Sequence, residues 1–97
     1  ERLRAVVTAD PRNVFLRRSL ATQLNAYAAD QLATGDAVGA RASYVESASI
    51  MRALVAADTA NAEHGRDLAY ALDRLAGVQL ALGDADAALA TARDAVA

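Results

Sequence analysis

The sequence predicts an all-α fold, an α-solenoid of antiparallel helix pairs, from three observations. Apolar residues make up 55% of the 97 residues, and many of them are alanine, the strongest helix former. No stretch shows the alternation of β-branched and polar residues that marks a strand. The third observation is an internal repeat with an offset of 48 in the numbering, in which Gly35-Asp36 corresponds to Gly83-Asp84.

The repeat extends along the whole chain. Aligned with itself at this offset, the chain has identical residues in 19 of the 49 pairs. Alanine raises that number but does not explain why Ala9-Asp10-x-x-Asn13 recurs as Ala57-Asp58-x-x-Asn61. Units of similar sequence stack by one repeated operation in space, which makes a solenoid. We expect one domain over residues 1–97, a fragment of a longer protein, with units at about 10–57 and 58–97 and the second unit truncated.

A short helix is predicted before the first full unit. It covers residues 1 to about 9, and Leu3, Val6 and Val7 give it an apolar face. Asp10-Pro11 ends it, because the residue before proline disfavours the helical conformation. Either Asp10 or Asn13 caps the following helix, and the sequence leaves both open.

Four longer helices follow, separated by turn residues. The predicted ranges are about 13–34, 37–57, 61–82 and a last helix from Ala85 onward. Gly35 ends the first of them, because glycine takes the left-handed conformation without steric cost. The connections are short, so consecutive helices should run antiparallel. The half-buried stripe of the helix over 13–34 is Phe15 or Leu16, Leu20, Leu24, and Tyr27 or Ala28.

No group of residues in the sequence indicates an enzyme, so we predict no catalytic residue, no cofactor and no metal. Cysteine is absent, and Asp84 and Asp86 stand where acids stabilise the start of a helix. His64 is the single histidine, with Glu63 and Asp67 nearby, and its repeat counterpart is Leu16. A metal would need further ligands on a neighbouring helix, so we expect His64 to be a solvent-exposed side chain.

Charge and hydropathy exclude two classes of partner. The net charge is −2 and all ten basic residues are arginine, which does not give the basic stripe of a nucleic-acid-binding protein. No apolar run is long enough to span a membrane. We therefore expect a cytoplasmic protein, and the alanine-, arginine- and aspartate-rich, lysine-free composition suggests a GC-rich bacterium.

Two residue types recur at positions that could contact a neighbouring unit. Arg18 recurs as Arg66, and we interpret the pair as a structural contact between repeats rather than a ligand site. Gln31 recurs as Gln79 beside the apolar stripe, where a buried amide needs partners. The two interpretations for the glutamines are a ladder between repeats and a position that reads a peptide in a groove.

The chain resembles the tetratricopeptide repeat family, in its long-helix bacterial variety. Family units have a Gly-Asp-like turn between two helices and small residues at fixed points around it. Those points fall on Ala28, Ala40 and Ser47 around Gly35, and on Ala76, Ala88 and Ala95 around Gly83. The resemblance covers essentially the whole chain, although the usual family unit is shorter, at about 34 residues. It implies an α-solenoid of about two repeats and a preceding half-helix.

The resemblance also implies a function. In this family the first helix of each pair lines a groove that holds peptides or helices, so we expect a non-catalytic protein-protein interaction or scaffold module. The groove positions carried over are Thr22, Asn25, Ala29, Leu32, Tyr70, Asp73, Gly77 and Leu80. Asn25 and Asp73 stand where some members have a lysine that holds a carboxylate, so a carboxylate-ended ligand is not expected.

An alternative function is left open. The chain could be an oligomerisation or regulatory spacer attached to a signalling enzyme such as a serine/threonine kinase or NTPase, an association often found for such repeats. Neither predicted end has a polar capping helix, because Leu3, Val6 and Val7 lie at one end and Leu89 and Val96 at the other. These open ends predict that the isolated fragment is either marginally stable or self-associates, for example as a homodimer.

Overall fold

A computed structural model describes residues 13–96, and this part of the chain is helical and contains no strand. The four helices are α1 (Val14–Ala33), α2 (Ala37–Ala57), α3 (Ala62–Ala81) and α4 (Ala85–Val96). The prediction of an all-α chain is confirmed, and the predicted boundaries agree with these helices to within one residue. The helix predicted over residues 1–9 lies outside the described residues. No helix within residues 13–96 has the length and apolar character needed to cross a bilayer.

Side-chain caps begin the helices, and they recur with the repeat. Asn13 Oδ1 accepts a hydrogen bond from the Leu16 amide at 3.0 Å, and its counterpart Asn61 accepts from the Glu63 amide at 3.0 Å. Of the two predicted caps for α1, Asn13 therefore caps it. The α2 and α4 helices begin at the carboxylates of Asp36 and Asp84, which accept from amides three residues later. These bonds satisfy amides that have no partner within the helix.

The two Gly-Asp turns have the same backbone conformation. Gly35 has φ +86° and Gly83 has φ +83°, the left-handed region in which a side chain would be strained. In each turn the amide of the following aspartate donates to a carbonyl five residues earlier: Asp36 to Gln31 at 2.7 Å, and Asp84 to Gln79 at 2.9 Å. The predicted role of both glycines as helix stops is confirmed.

The core is formed by α1, α2 and α3 together. Its largest cluster draws residues from α1, α2 and α3 and consists of Ala28, Ala40, Tyr44, Leu75 and Val78. Ala28 and Ala40 are fully buried, and the absence of a long side chain there lets α1 and α2 approach closely. The extensive interfaces are those of α1 with α2, α2 with α3, and α3 with α4.

The ambiguous positions of the α1 stripe are resolved by burial. Leu20, Leu24 and Ala28 are buried, whereas Phe15 is 76% exposed and Tyr27 is 58% exposed. Within α1 the stripe therefore follows Leu16 and Ala28, and both aromatic rings lie on the outer side.

Candidate interaction surface

The eight residues predicted to form a binding face lie on α1 and α3. They are Thr22, Asn25, Ala29 and Leu32 on α1, and Tyr70, Asp73, Gly77 and Leu80 on α3. All are exposed except Asn25, which is half-buried. The positions carried over from the family resemblance therefore lie mostly at the surface of the two helices.

One cavity brings half of these residues together. Leu32, Asp73, Gly77 and Leu80 line an open cavity of about 590 Å³. The remainder of its lining is Arg74, Ala76, Val78, Ala81, Ala88 and Ala92. Thr22 lines a separate cavity of about 340 Å³ beside Phe15 and Arg18. Asn25, Ala29 and Tyr70 line neither cavity.

Arg74 is a functional candidate that the spacing did not predict. Its guanidinium carbon lies 5.1 Å from the centroid of the Tyr70 ring, within the range of a cation–π contact. Tyr70 is 47% exposed, so the contact lies at the surface, and Arg74 also lines the larger cavity beside Asp73. The cavity therefore carries charges of both signs next to apolar side chains. The signal available in the sequence was the spacing of four residues between Tyr70 and Arg74.

His64 is buried, so the prediction that it is solvent-exposed is wrong. Only 6% of the residue is accessible. Its Nε2 lies 3.4 Å from Asn61 Nδ2, and its buried Nδ1 has no hydrogen-bond partner among residues 13–96. The reason is positional: His64 precedes Leu68 by one helical turn and stands on the apolar stripe of α3, as Leu16 does in α1. Among residues 13–96, no three metal-ligating side chains come together.

The two acids beside His64 bind an arginine from the other unit. Arg18 Nε donates to Asp67 Oδ2 at 2.7 Å, and the same guanidinium pairs with Glu63. The hydrogen bond to Asp67 is the main reason why the pKa of Arg18 is raised above its ordinary value. Arg18 thus makes the predicted contact between repeats. Arg66, its counterpart, is exposed and has no ion pair within the part of the chain that the structure describes.

Both glutamines bond within their own helix pair. Ser43 Oγ donates to Gln31 Oε1 at 2.7 Å, and Thr91 Oγ1 donates to Gln79 Oε1 at 2.7 Å. Ser43 and Thr91 occupy corresponding positions of the two units, so the same bond is made twice. The bonds fix the first helix of each pair against the second, in place of the ladder between repeats that we considered.

Comparison of the chain with protein families, with curated proteins and with solved structures finds no match.

Proposed function

We propose that the chain is a non-catalytic, tetratricopeptide-like interaction module that binds a protein segment on the face of α1 and α3. The observation that carries this proposal is the cavity of about 590 Å³, in which Leu32 from α1 meets Asp73, Gly77 and Leu80 from α3. Leu80 is 62% exposed at its border, and exposed apolar side chains beside a cavity are typical of interaction sites.

The solenoid arrangement is part of the same proposal. Late residues of α1 contact early residues of α2, as in the Gln31–Ser43 bond, while Ser47 farther along α2 reaches back to the Ala21 carbonyl. This order of contacts supports an antiparallel pair. Ion pairs also join alternate helices, Arg18 with Asp67 between α1 and α3, and Arg52 with Asp94 between α2 and α4. Such contacts are those that stacked helix pairs would make.

The residues that line the cavity indicate which class of ligand it binds. Leu32, Leu80 and the surrounding alanines suit a bulky apolar side chain, and Asp73 and Arg74 suit polar or charged groups on either side of it. We propose a peptide segment with one apolar anchor as the ligand.

The test uses peptides selected from a random peptide library on the immobilised chain. Leu80→Ala should raise the dissociation constant of a selected peptide about tenfold or more. Truncating a side chain that anchors an interface reduces the binding free energy by at least about 1.4 kcal/mol. Leu89→Ala is the matched control, since Leu89 is 53% exposed on α4 and lies outside the cavity. Equal loss in both variants, or none in Leu80→Ala, would contradict the proposed face.

The spacer function remains a second candidate because Leu89 is exposed on α4. Under that function the chain associates with itself or with an attached signalling enzyme, and Leu89→Glu should abolish self-association in sedimentation equilibrium. A monomeric parent chain at high concentration would contradict self-association.

A further inference from the structure

One groove of the molecule is filled by a helix. The residues of that groove and of that helix show what a second groove of the same kind would bind. The inner groove is formed by Ala28 on α1 and by Ala40 and Tyr44 on α2. Leu75 and Val78 of α3 pack into it. The helix that fills this groove is therefore known, together with the two side chains that enter it.

A second groove has the same construction one repeat unit later. The residues that correspond to Ala28, Ala40 and Tyr44 are Ala76 on α3 and Ala88 and Ala92 on α4. All three line the cavity of about 590 Å³, and we call them the end groove. No further helix covers the end groove within residues 13–96.

The two helix pairs that form these grooves share their internal contacts. Each has a glycine with positive φ at the turn, Gly35 at +86° and Gly83 at +83°. Each also has a glutamine that accepts from a hydroxyl twelve residues later at 2.7 Å. Because the same bonds set the position of the two helices, the end groove is preformed with the spacing of the inner groove.

Charge supplies an independent indication of the occupant. When α3 fills the inner groove, Glu63 and Asp67 near its beginning bind Arg18 of α1. The counterpart of Arg18 is Arg66, which is exposed and lacks an ion pair among the described residues. The second unit therefore has the same two features as the first: an apolar groove, here the end groove, and an arginine on its first helix, here Arg66.

We propose that the end groove binds an amphipathic helix of the chemistry of α3. Such a helix has two acids four residues apart near its beginning, which bind Arg66. It has an aliphatic pair, spaced like Leu75 and Val78, that packs on Ala76, Ala88 and Ala92. This inference deepens the proposed function and rests on it, because Ala76, Ala88 and Ala92 line the same cavity, and it adds Arg66 as a residue that selects the ligand.

The α1 helix of a second copy fits the end groove less well. Its residues at the positions of Glu63 and Asp67 are Phe15 and Ser19, which give Arg66 no carboxylate. At the position of Val78 it has Asp30, whose carboxylate would lose its water in an apolar groove. We therefore commit to a helix with the α3 pattern as the occupant.

The experiment titrates the full chain into a fluorescently labelled peptide of residues 61–82 and follows anisotropy. We expect saturable binding that Ala92→Glu reduces about tenfold or more, because the carboxylate would be buried against apolar side chains. Ala92 is exposed, so this change leaves the core of the chain intact. A peptide with Leu75→Ala and Val78→Ala should bind about tenfold more weakly, and here the protein is unchanged.

A double-mutant cycle determines whether the peptide binds at the end groove or at the inner groove. Neutralising the peptide with Glu63→Gln and Asp67→Asn should weaken its binding to the parent chain but not to Arg66→Ala. If the effect instead disappears in Arg18→Ala, the peptide has displaced α3 from the inner groove and the proposal fails. The proposal is also overturned if no peptide binds, or if the chain alone forms a dimer that Ala92→Glu abolishes.

Discussion

His64 is a polar side chain at a position that the other unit fills with leucine. Its Nδ1 is buried without a hydrogen-bond partner in the part of the chain that the structure describes, which is unfavourable because the atom has lost its water. We expect His64→Leu to raise the free energy of unfolding by about 1 kcal/mol, measured by urea denaturation at neutral pH. His64→Gln is the control, since it keeps a polar group in the same place and should not stabilise. If leucine destabilises the chain, the contact of His64 with Asn61 stabilises the fold by more than the burial of Nδ1 costs.

Tyr44 gives the molecule a pH dependence in the alkaline range. Burial raises the pKa of Tyr44 above its ordinary value of about 10, and Arg74 lowers the pKa by a smaller amount. Above about pH 10 the unfolded chain loses the phenolic proton more readily than the folded chain does. Stability linked to this group is therefore complete below the unfolded pKa and is lost as pH rises through the folded pKa.

The matched variant for this prediction is Tyr44→Phe, which removes the titrating group and keeps the ring. The unfolding free energy of the parent chain should fall more steeply between about pH 9 and pH 11 than that of Tyr44→Phe. Parallel curves for the two proteins, recorded by urea denaturation, would show that Tyr44 is not the cause.

At the scale of the helix pair, the Gly-Asp turns have a conformational role. An added Cβ at Gly35 or Gly83 would meet no atom within 4 Å, so the positive φ is the sole source of strain. We expect Gly35→Ala and Gly83→Ala each to lower the free energy of unfolding by about 1 kcal/mol.

Gly65 is the matched control for the turn glycines. It lies inside α3, and a Cβ there also meets nothing within 4 Å. Gly65→Ala should therefore stabilise by about 0.5 to 1 kcal/mol, since alanine loses less conformational entropy in a helix. A loss of stability in Gly65→Ala equal to that in Gly35→Ala would show that the turn conformation is not what matters.

These elements could be predicted because their signals are local. Asn13, Asp36, Asn61 and Asp84 cap helices through amides two or three residues away, and Gly83 ends a helix by its own backbone conformation. No tertiary information is needed for such contacts. Phe15 and Leu16 differ in this respect, because adjacent apolar residues fit the same stripe and only the position of α2 decides which is buried.

At the scale of the whole molecule, Arg18 joins the two units through Asp67 and Glu63. Arg18→Ala should lower the midpoint of urea denaturation at low salt, and about 1 M NaCl should reduce the difference because salt screens exposed charges. Arg66→Ala is the matched control at the corresponding repeat position, where we expect no change. An effect of Arg18→Ala that is independent of salt would point to lost packing rather than lost charge.

The candidate site could be predicted only in part. The groove positions that the family resemblance implies include Leu32, Asp73, Gly77 and Leu80, and the structure brings these four to one cavity. The spacing of four residues allows the contact between Arg74 and Tyr70, but whether Arg74 also lines a cavity depends on the packing of other helices, which the local sequence does not give. His64 is predicted to be exposed because the ligands of a metal site are missing, whereas its burial follows from the apolar stripe to which it belongs.

The order of the interfaces along the chain also determines how the molecule forms. The extensive interfaces among the described helices join neighbours in sequence, α1 with α2, α2 with α3, and α3 with α4. Contacts of this kind close short loops, so little chain entropy is lost before each contact forms. Proteins dominated by local contacts fold fast. During synthesis α1 and α2 can therefore pair as soon as both have left the ribosome, and each later helix finds its docking surface already assembled.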